Sequence, residues 1–165
     1  MKYLFLILLG LCPFLFMLNN ASTVASKGKQ HNYFPKELAK KGVYLGMSLK
    51  KLKKKCKGIQ KIDTTSVFKI EAIETSTTDT IVSFTYLFTK SEEPLLYQIT
   101  ITYTSMEGVQ DKAVAMLGEP NHQGEWRIQP EMIKEDFTMG IWTFGPKWVI
   151  SGTLKGSEWE KGFSN

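Results

Sequence analysis

Strict alternation of apolar and polar residues in the middle of the chain constrains the fold more than any other feature. The segments "TIVSFTYLF" (80–88) and "LLYQITITY" (95–103) have a period of two and are rich in β-branched and aromatic residues. This pattern predicts two strands, and "TKSEEP" between them predicts a hairpin loop. A third alternating segment, "SVFKIEAI" (66–73), precedes them. One face of this predicted meander is apolar and the other is rich in threonine. The apolar face is assigned Phe68, Ile70, Ala72, Val82, Phe84, Tyr86, Phe88, Tyr97, Ile99, Ile101 and Tyr103.

Two segments have helical spacing instead. Ser48 is a good N-cap, and Leu49, Leu52 and Cys56 follow as one apolar stripe, with Gly58 placed to end the helix. A second helix is predicted from Met106 to Leu117, with a stop at "GEP". After it, strands are predicted in "WRI" (126–128), "FTMGIWTF" (137–144) and "KWVISGTL" (147–154).

The order of these elements predicts an α+β fold. Each helix precedes three strands, so we expect a tandem helix-plus-antiparallel-meander repeat, α-βββ-α-βββ, with both helices packed on one face of the sheet. The predicted divisions are a signal peptide at 1–25, a flexible leader at 26–41, a single domain at 42–157 and a tail at 158–165. The domain would consist of half-repeats 42–104 and 105–157, and Trp159 of the tail could pack back on it.

The amino terminus predicts export. Lys2 precedes an almost wholly apolar run from Tyr3 to Leu18, and "TVA" ending at Ala25 fits a signal peptidase site. An uncleaved membrane anchor is the alternative, although the run is shorter than the roughly 20 residues that a span needs. We expect a periplasmic, cell-envelope or secreted protein. Cleavage would leave Cys56 as the only cysteine, and we expect it to be buried.

Charge is distributed unevenly along the chain. Residues 36–61 contain ten lysines and one glutamate, a net +9, whereas residues 62–165 have a net −7. Such asymmetry can steer an encounter with a charged partner. One functional hypothesis is therefore that the protein binds an anionic surface or polymer. The basic patch would consist of Lys50, Lys51, Lys54 and Lys55. We expect no nucleic acid as a partner.

The sequence contains few of the motifs that are typical of an enzyme active site. No nucleophile motif or metal-ligand spacing is present, so we assign no catalytic, cofactor-binding or metal residues. A small hydrolase is a third hypothesis, which depends on His122. Glu119, His122 and Glu125 could hold a cation weakly, and the carboxylate pairs Glu92-Glu93 and Glu135-Asp136 are interpreted as solvated charge.

Aromatic residues are the other candidate for a binding surface. Alternation places Trp142 and Phe144 on one side of their strand and Ile141 on the other, while Trp148 opposes Val149. Some large side chains must therefore face away from the helices, where they could form a contact with a partner. The candidates are Trp126, Trp142, Phe144, Trp148 and Tyr97.

Two short motifs resemble a known group. "GMS" (46–48) before the first helix, and Leu117, Gly118, Pro120 and Trp126 after the second, resemble the small exported module shared by the outer-membrane-assembly lipoprotein SmpA/BamE and the β-lactamase-inhibitor-protein-like superfamily. The first helix lacks the Leu-Gly-x-Pro ending and the second lacks the Gly-Met-Ser beginning. This resemblance, which covers residues 42 to 155, implies a non-enzymatic module that binds another protein, either inhibitor-like or an accessory of envelope assembly. This is our leading hypothesis.

Overall fold

The structure is a computed structural model that describes residues 29–76 and 78–163. The predicted signal peptide and the last two residues of the predicted tail lie outside these ranges. Within them the chain forms a seven-stranded antiparallel sheet and four α-helices, so the α+β class is confirmed. None of the helices in the described residues is long and apolar enough to span a membrane.

The strands are β1 (Ile59–Asp63), β2 (Lys69–Thr75), β3 (Ile81–Thr89), β4 (Leu96–Tyr103), β5 (Trp126–Ile128), β6 (Met139–Phe144) and β7 (Lys147–Gly152). Their order across the sheet is β1-β2-β3-β4-β7-β6-β5. The helices are α1 (Lys36–Lys41), α2 (Leu49–Lys55), α3 (Val109–Leu117) and α4 (Pro130–Ile133), and a 3-10 helix spans His31–Tyr33.

This order differs from the predicted tandem repeat. Strand β1 makes four strands before α3 instead of three, and α4 interrupts the second set. β1 lies at the edge of the sheet, and its Gln60 and Lys61 side chains are exposed. An edge strand that is half solvated carries little alternation, so the sequence pattern does not reveal it.

The segment from residue 29 to 41 is folded, in contrast to the predicted flexible leader. Phe34 and Leu38 are buried in the core, and Gln30 is completely buried. The Gln30 side chain accepts a hydrogen bond from the Leu45 backbone N–H (2.9 Å) and donates one to Glu135 Oε1 (2.9 Å). These contacts attach the segment to two distant parts of the chain.

Helix α2 forms as predicted at its start. Ser48 Oγ accepts a hydrogen bond from the Lys51 backbone N–H (3.4 Å), Leu52 is buried, and Leu49 is half-buried. The helix ends at Lys55, before the predicted stop at Gly58. Helix α3 ends at Leu117 and is followed by Gly118, which has a φ of +78° that few other residues adopt, so that stop is confirmed.

One face of the sheet carries the core, and we call it the helix-covered face. Residues directly opposite each other on neighbouring strands share a face, and the register aligns Ala72, Tyr86, Ile99, Ile150 and Ile141 across five strands. All five are buried in one cluster that also contains residues of the helices. The helical members of the cluster are Leu38, Leu52, Val109, Ala113 and Ile133.

Two residues predicted to be in the core are exposed. Val82 is 47% exposed because the register shifts between Ile81 and Ser83, which displaces the side chain from the alternating pattern. Phe68 is 82% exposed because it precedes the first residue of β2 and lies in the loop after β1.

Candidate binding surface on the open face of the sheet

The opposite face of the sheet, which we call the open face, carries two rows of mostly hydroxyl and apolar side chains. The first row crosses β2, β3, β4, β7 and β6 and consists of Ile73, Thr85, Thr100, Val149 and Trp142. The second consists of Thr75, Ser83, Thr102, Lys147 and Phe144. With about 4.8 Å between neighbouring strands, each row is about 19 Å long. The predicted threonine-rich face is confirmed, and neither row contains a carboxylate.

A third row on the same face is covered by the end of the chain. This row contains Gln98, Ser151, Gly140 and Arg127. The Trp159 indole N–H donates a hydrogen bond to Gln98 Oε1 (3.0 Å), and the Arg127 guanidinium lies 4.5 Å from the centre of the Phe163 ring. Gly140 leaves room for this packing, because a Cβ at this position would come within 2.8 Å of the Phe163 ring. The tail therefore packs on the sheet and borders the two rows.

The tail also supports an aromatic cluster at one side of the open face. Trp142 packs edge-on against Trp159 (5.7 Å between ring centres) and Phe163 (6.1 Å). Phe144 lies two residues further along β6 on the same face and is 74% exposed. A half-buried tryptophan held by two rings, next to an exposed phenylalanine, has the properties of an anchor for a partner.

Of the five predicted partner-binding residues, three are buried and two lie on the open face. Trp126, Trp148 and Tyr97 are each only 2% exposed, so the structure corrects their assignment to a contact surface. Trp126 and Trp148 lie on the helix-covered face, where their large apolar areas contribute to the core. Trp142 and Phe144 are on the open face. Sequence reasoning did not include Phe163, whose contact with Trp142 depends on how the tail folds back.

The basic patch lies on the other side of the sheet. All six lysines at positions 50, 51, 53, 54, 55 and 57 are exposed. Within the described part of the chain, the ion pairs are Lys41 with Glu74 and Arg127 with Glu125, so none of these six lysines pairs with a carboxylate. The patch carries a positive charge that the described residues do not neutralise.

His122 lies in a tight turn. Its backbone N–H and C=O bond with Glu125 (3.0 and 2.8 Å), and its side chain lines an open cleft of about 610 Å³ together with Arg127, Glu160 and Phe163. Glu119, His122 and Glu125 do not come together as a metal-binding group, and no other three such residues do so in residues 29–76 and 78–163.

A buried polar cluster connects two helical segments to the sheet, and we call it the Glu74 cluster. The Glu74 carboxylate accepts hydrogen bonds from Lys41 Nζ (2.7 Å) and the Tyr86 hydroxyl (2.7 Å). The Tyr86 oxygen lies 3.7 Å from Cys56 Sγ. Glu74 shares its face with Ile70 and Ala72, so the alternation could have identified it as an inward carboxylate.

Cys56 is buried, as predicted. Burial raises the pKa of its thiol above the ordinary value, more than the neighbouring Tyr86 hydroxyl lowers it. A nucleophilic cysteine needs the opposite shift, because the thiolate is the reactive form. The packing of Cys56 is therefore that of a small core residue.

Comparison of the chain with protein-family models, curated proteins and solved structures gives no match.

Proposed function

We propose that this protein is an exported, non-enzymatic module that binds another protein through the open face of its sheet. The observation that carries the proposal is the pair formed by Trp142 and Phe144. Phe144 is 74% exposed beside a tryptophan that the tail holds in place, on a face whose first two rows no described helix covers.

The chemistry of the open face suits a protein partner. Trp and other aromatic side chains dominate binding energy at protein interfaces, and hydroxyl groups around them can bond with backbone groups of the partner. The rows also contain Thr85, Thr100 and Thr102, which β7 separates from the aromatic pair, and the paired strands keep this surface rigid. A rigid surface loses little conformational entropy on binding.

Inhibition of an enzyme and assistance in envelope assembly both require such a surface. The export pattern before Ala25 and the resemblance of Gly46-Met47-Ser48 and Leu117-Gly118 to exported binding modules support either role. The partner is then a protein of the same compartment.

Affinity capture tests the proposal. The purified protein is used to capture proteins from the native envelope fraction, and the captured protein is identified and its affinity measured. We expect Trp142→Ala and Phe144→Ala to weaken binding tenfold or more, as hot-spot residues do. Phe68→Ala is the matched control, because Phe68 is as exposed (82%) but lies in the loop before β2, away from the open face. If Phe68→Ala weakens binding as much as Phe144→Ala, the open face is not the site.

A further inference from the structure

The exposed side of α2 carries a high density of positive charge. The helix has seven residues, about 10 Å at 1.5 Å per residue, and five of them are lysines, with Lys57 following. Lys50 and Lys54, and Lys51 and Lys55, are each four residues apart on the helix, a spacing at which like charges repel. None of these lysine side chains forms a hydrogen bond or an ion pair with another described residue. The described residues therefore provide no carboxylate partner that would relieve the repulsion between these lysines.

Lysines cover the whole exposed arc of the helix. At 100° per residue, positions 50, 51, 53, 54 and 55 cover an arc of roughly 200°, and Leu52 is buried in the core. Leu49, which is half-buried, is then the one apolar residue of the helix at the surface, whereas interfacial helices insert a whole apolar face into a bilayer. Contact with an anionic partner would be electrostatic.

A groove lies along one side of this arc. It has a volume of about 500 Å³, with Leu49 and Pro94 as its apolar residues and Lys50, Lys53 and Lys54 as its charged ones. Glu92 and Glu93 are exposed in the adjoining turn. A flat anionic membrane that approached this side would also meet these two carboxylates, whereas a narrow chain can lie on the lysines and avoid them. The geometry favours a linear partner.

We propose that α2 binds a linear phosphate polymer along Lys50, Lys53 and Lys54. Phosphates joined in a chain repeat every few ångströms, as along one strand of a DNA duplex, where the axial spacing is about 3.4 Å. Several phosphates therefore fit along the helix, and each can neutralise a lysine. Lysine suits this role, because its ammonium group binds phosphate as a point charge without fixed geometry. This site is on the opposite side of the sheet from the open face, so the protein could hold both partners at once.

Inorganic polyphosphate is the probe, and its affinity for the purified protein is measured at several salt concentrations. We expect the triple variant Lys50→Gln, Lys53→Gln, Lys54→Gln to bind at least tenfold more weakly and to lower the slope of log K against log salt by about two to three. The control is Lys134→Gln, Lys155→Gln, Lys161→Gln, which removes the same charge from exposed lysines outside this helix and should change the affinity less than twofold.

Three outcomes would overturn the proposal. Polyphosphate could fail to bind at low salt, or both triple variants could lose affinity equally, which would show attraction to net charge alone. Vesicles of anionic phospholipid could bind more tightly than polyphosphate, which would make a membrane the partner. Circular dichroism spectra that match the unmodified protein would show that both triple variants are folded.

Discussion

At the scale of single residues, the Glu74 cluster is a site where a substitution should destabilise the fold, because its polar groups are buried and bonded to each other. Tyr86 is completely buried, and its hydroxyl donates to a carboxylate that is itself only 6% exposed. Tyr86→Phe removes this hydrogen bond from a carboxylate that is buried in the core. An unsatisfied buried acceptor costs about 1–3 kcal/mol. We expect the free energy of unfolding, measured with urea, to fall by about that amount.

Tyr33→Phe is the control for this change. Tyr33 is half-buried at the edge of the core, and no hydrogen bond of its hydroxyl to a described residue is present. We expect a loss of less than about 0.5 kcal/mol. Equal effects of the two substitutions would show that the Glu74 cluster contributes nothing specific to stability.

Stability should fall in alkaline solution because of buried tyrosines. Burial raises the pKa of Tyr103 from 10.0 to about 12, and burial also raises the pKa of Tyr86. A raised pKa in the folded state means that the unfolded chain loses its proton first. The stabilisation is therefore complete below pH 10 and is lost as the pH rises from about 10 towards 12. Urea unfolding at pH 8, 10 and 11 should show this decrease, and Tyr103→Phe should make it smaller. A free energy of unfolding that stays constant up to pH 11 would contradict the prediction.

Much at this scale could be predicted from local pattern. The Ser48 cap and the burial of Cys56 depend on neighbours within one helix, and both are confirmed. Alternation also placed Trp142 and Phe144 on the same face of the sheet, and Trp148 and Val149 on different faces. The register agrees with both assignments. Whether a given side of a strand is core or surface depends on its partner strands, so Trp148 and Trp126 were assigned to a surface that they do not reach.

At the scale of elements, α2 forms in spite of its own charges. It has no acidic residue in its first turn, where a carboxylate would interact favourably with the helix dipole. Lys50→Glu places one there and converts the repulsion with Lys54 into an attraction. We expect the free energy of unfolding to rise by about 0.5–1 kcal/mol, measured with urea at low salt. The same substitution should weaken polyphosphate binding.

Lys155→Glu separates a helix effect from an effect of net charge. Lys155 is exposed and lies outside every helix, so its reversal changes the net charge equally without touching α2. We expect a change within about 0.5 kcal/mol. If Lys155→Glu stabilises as much as Lys50→Glu, the gain comes from net charge and not from the helix.

Elements with a strong period were predicted well, and those without one were missed. Strands β3 and β4 have long alternating patterns and are buried on one face, which makes them visible in the sequence. Strand β1 and helix α1 each have one apolar side at most and are held by distant residues. Lys41 of α1, for example, contacts Glu74, which is 33 residues away. Such contacts leave no local signature.

At the scale of the whole molecule, one sheet separates two surfaces of different chemistry. The core and α2 are on the helix-covered face, and Trp142, Phe144 and the threonine rows are on the open face. The pairing of β4 with β7 joins the two halves of the chain into this single sheet. Alternation predicts that two faces exist, but the pairing that unites them requires contacts about 50 residues apart, such as the bond from Ser151 Oγ to the Tyr97 carbonyl.

The folded unit begins well before Gly42, where sequence patterns placed the start of the domain. A chain that starts at Gly42 lacks Phe34 and Leu38 from the core and leaves Glu74 without Lys41. Loss of one large core side chain typically costs about 2–5 kcal/mol, and whole domains are stable by only about 5–15 kcal/mol. We expect this truncated protein to be mostly unfolded at 25 °C by circular dichroism and urea titration.

A chain that starts at Ser26 keeps every described residue and should unfold at the same urea concentration as the longer protein. Equal midpoints for the two truncated chains would mean that residues 29–41 rest on the domain without stabilising it.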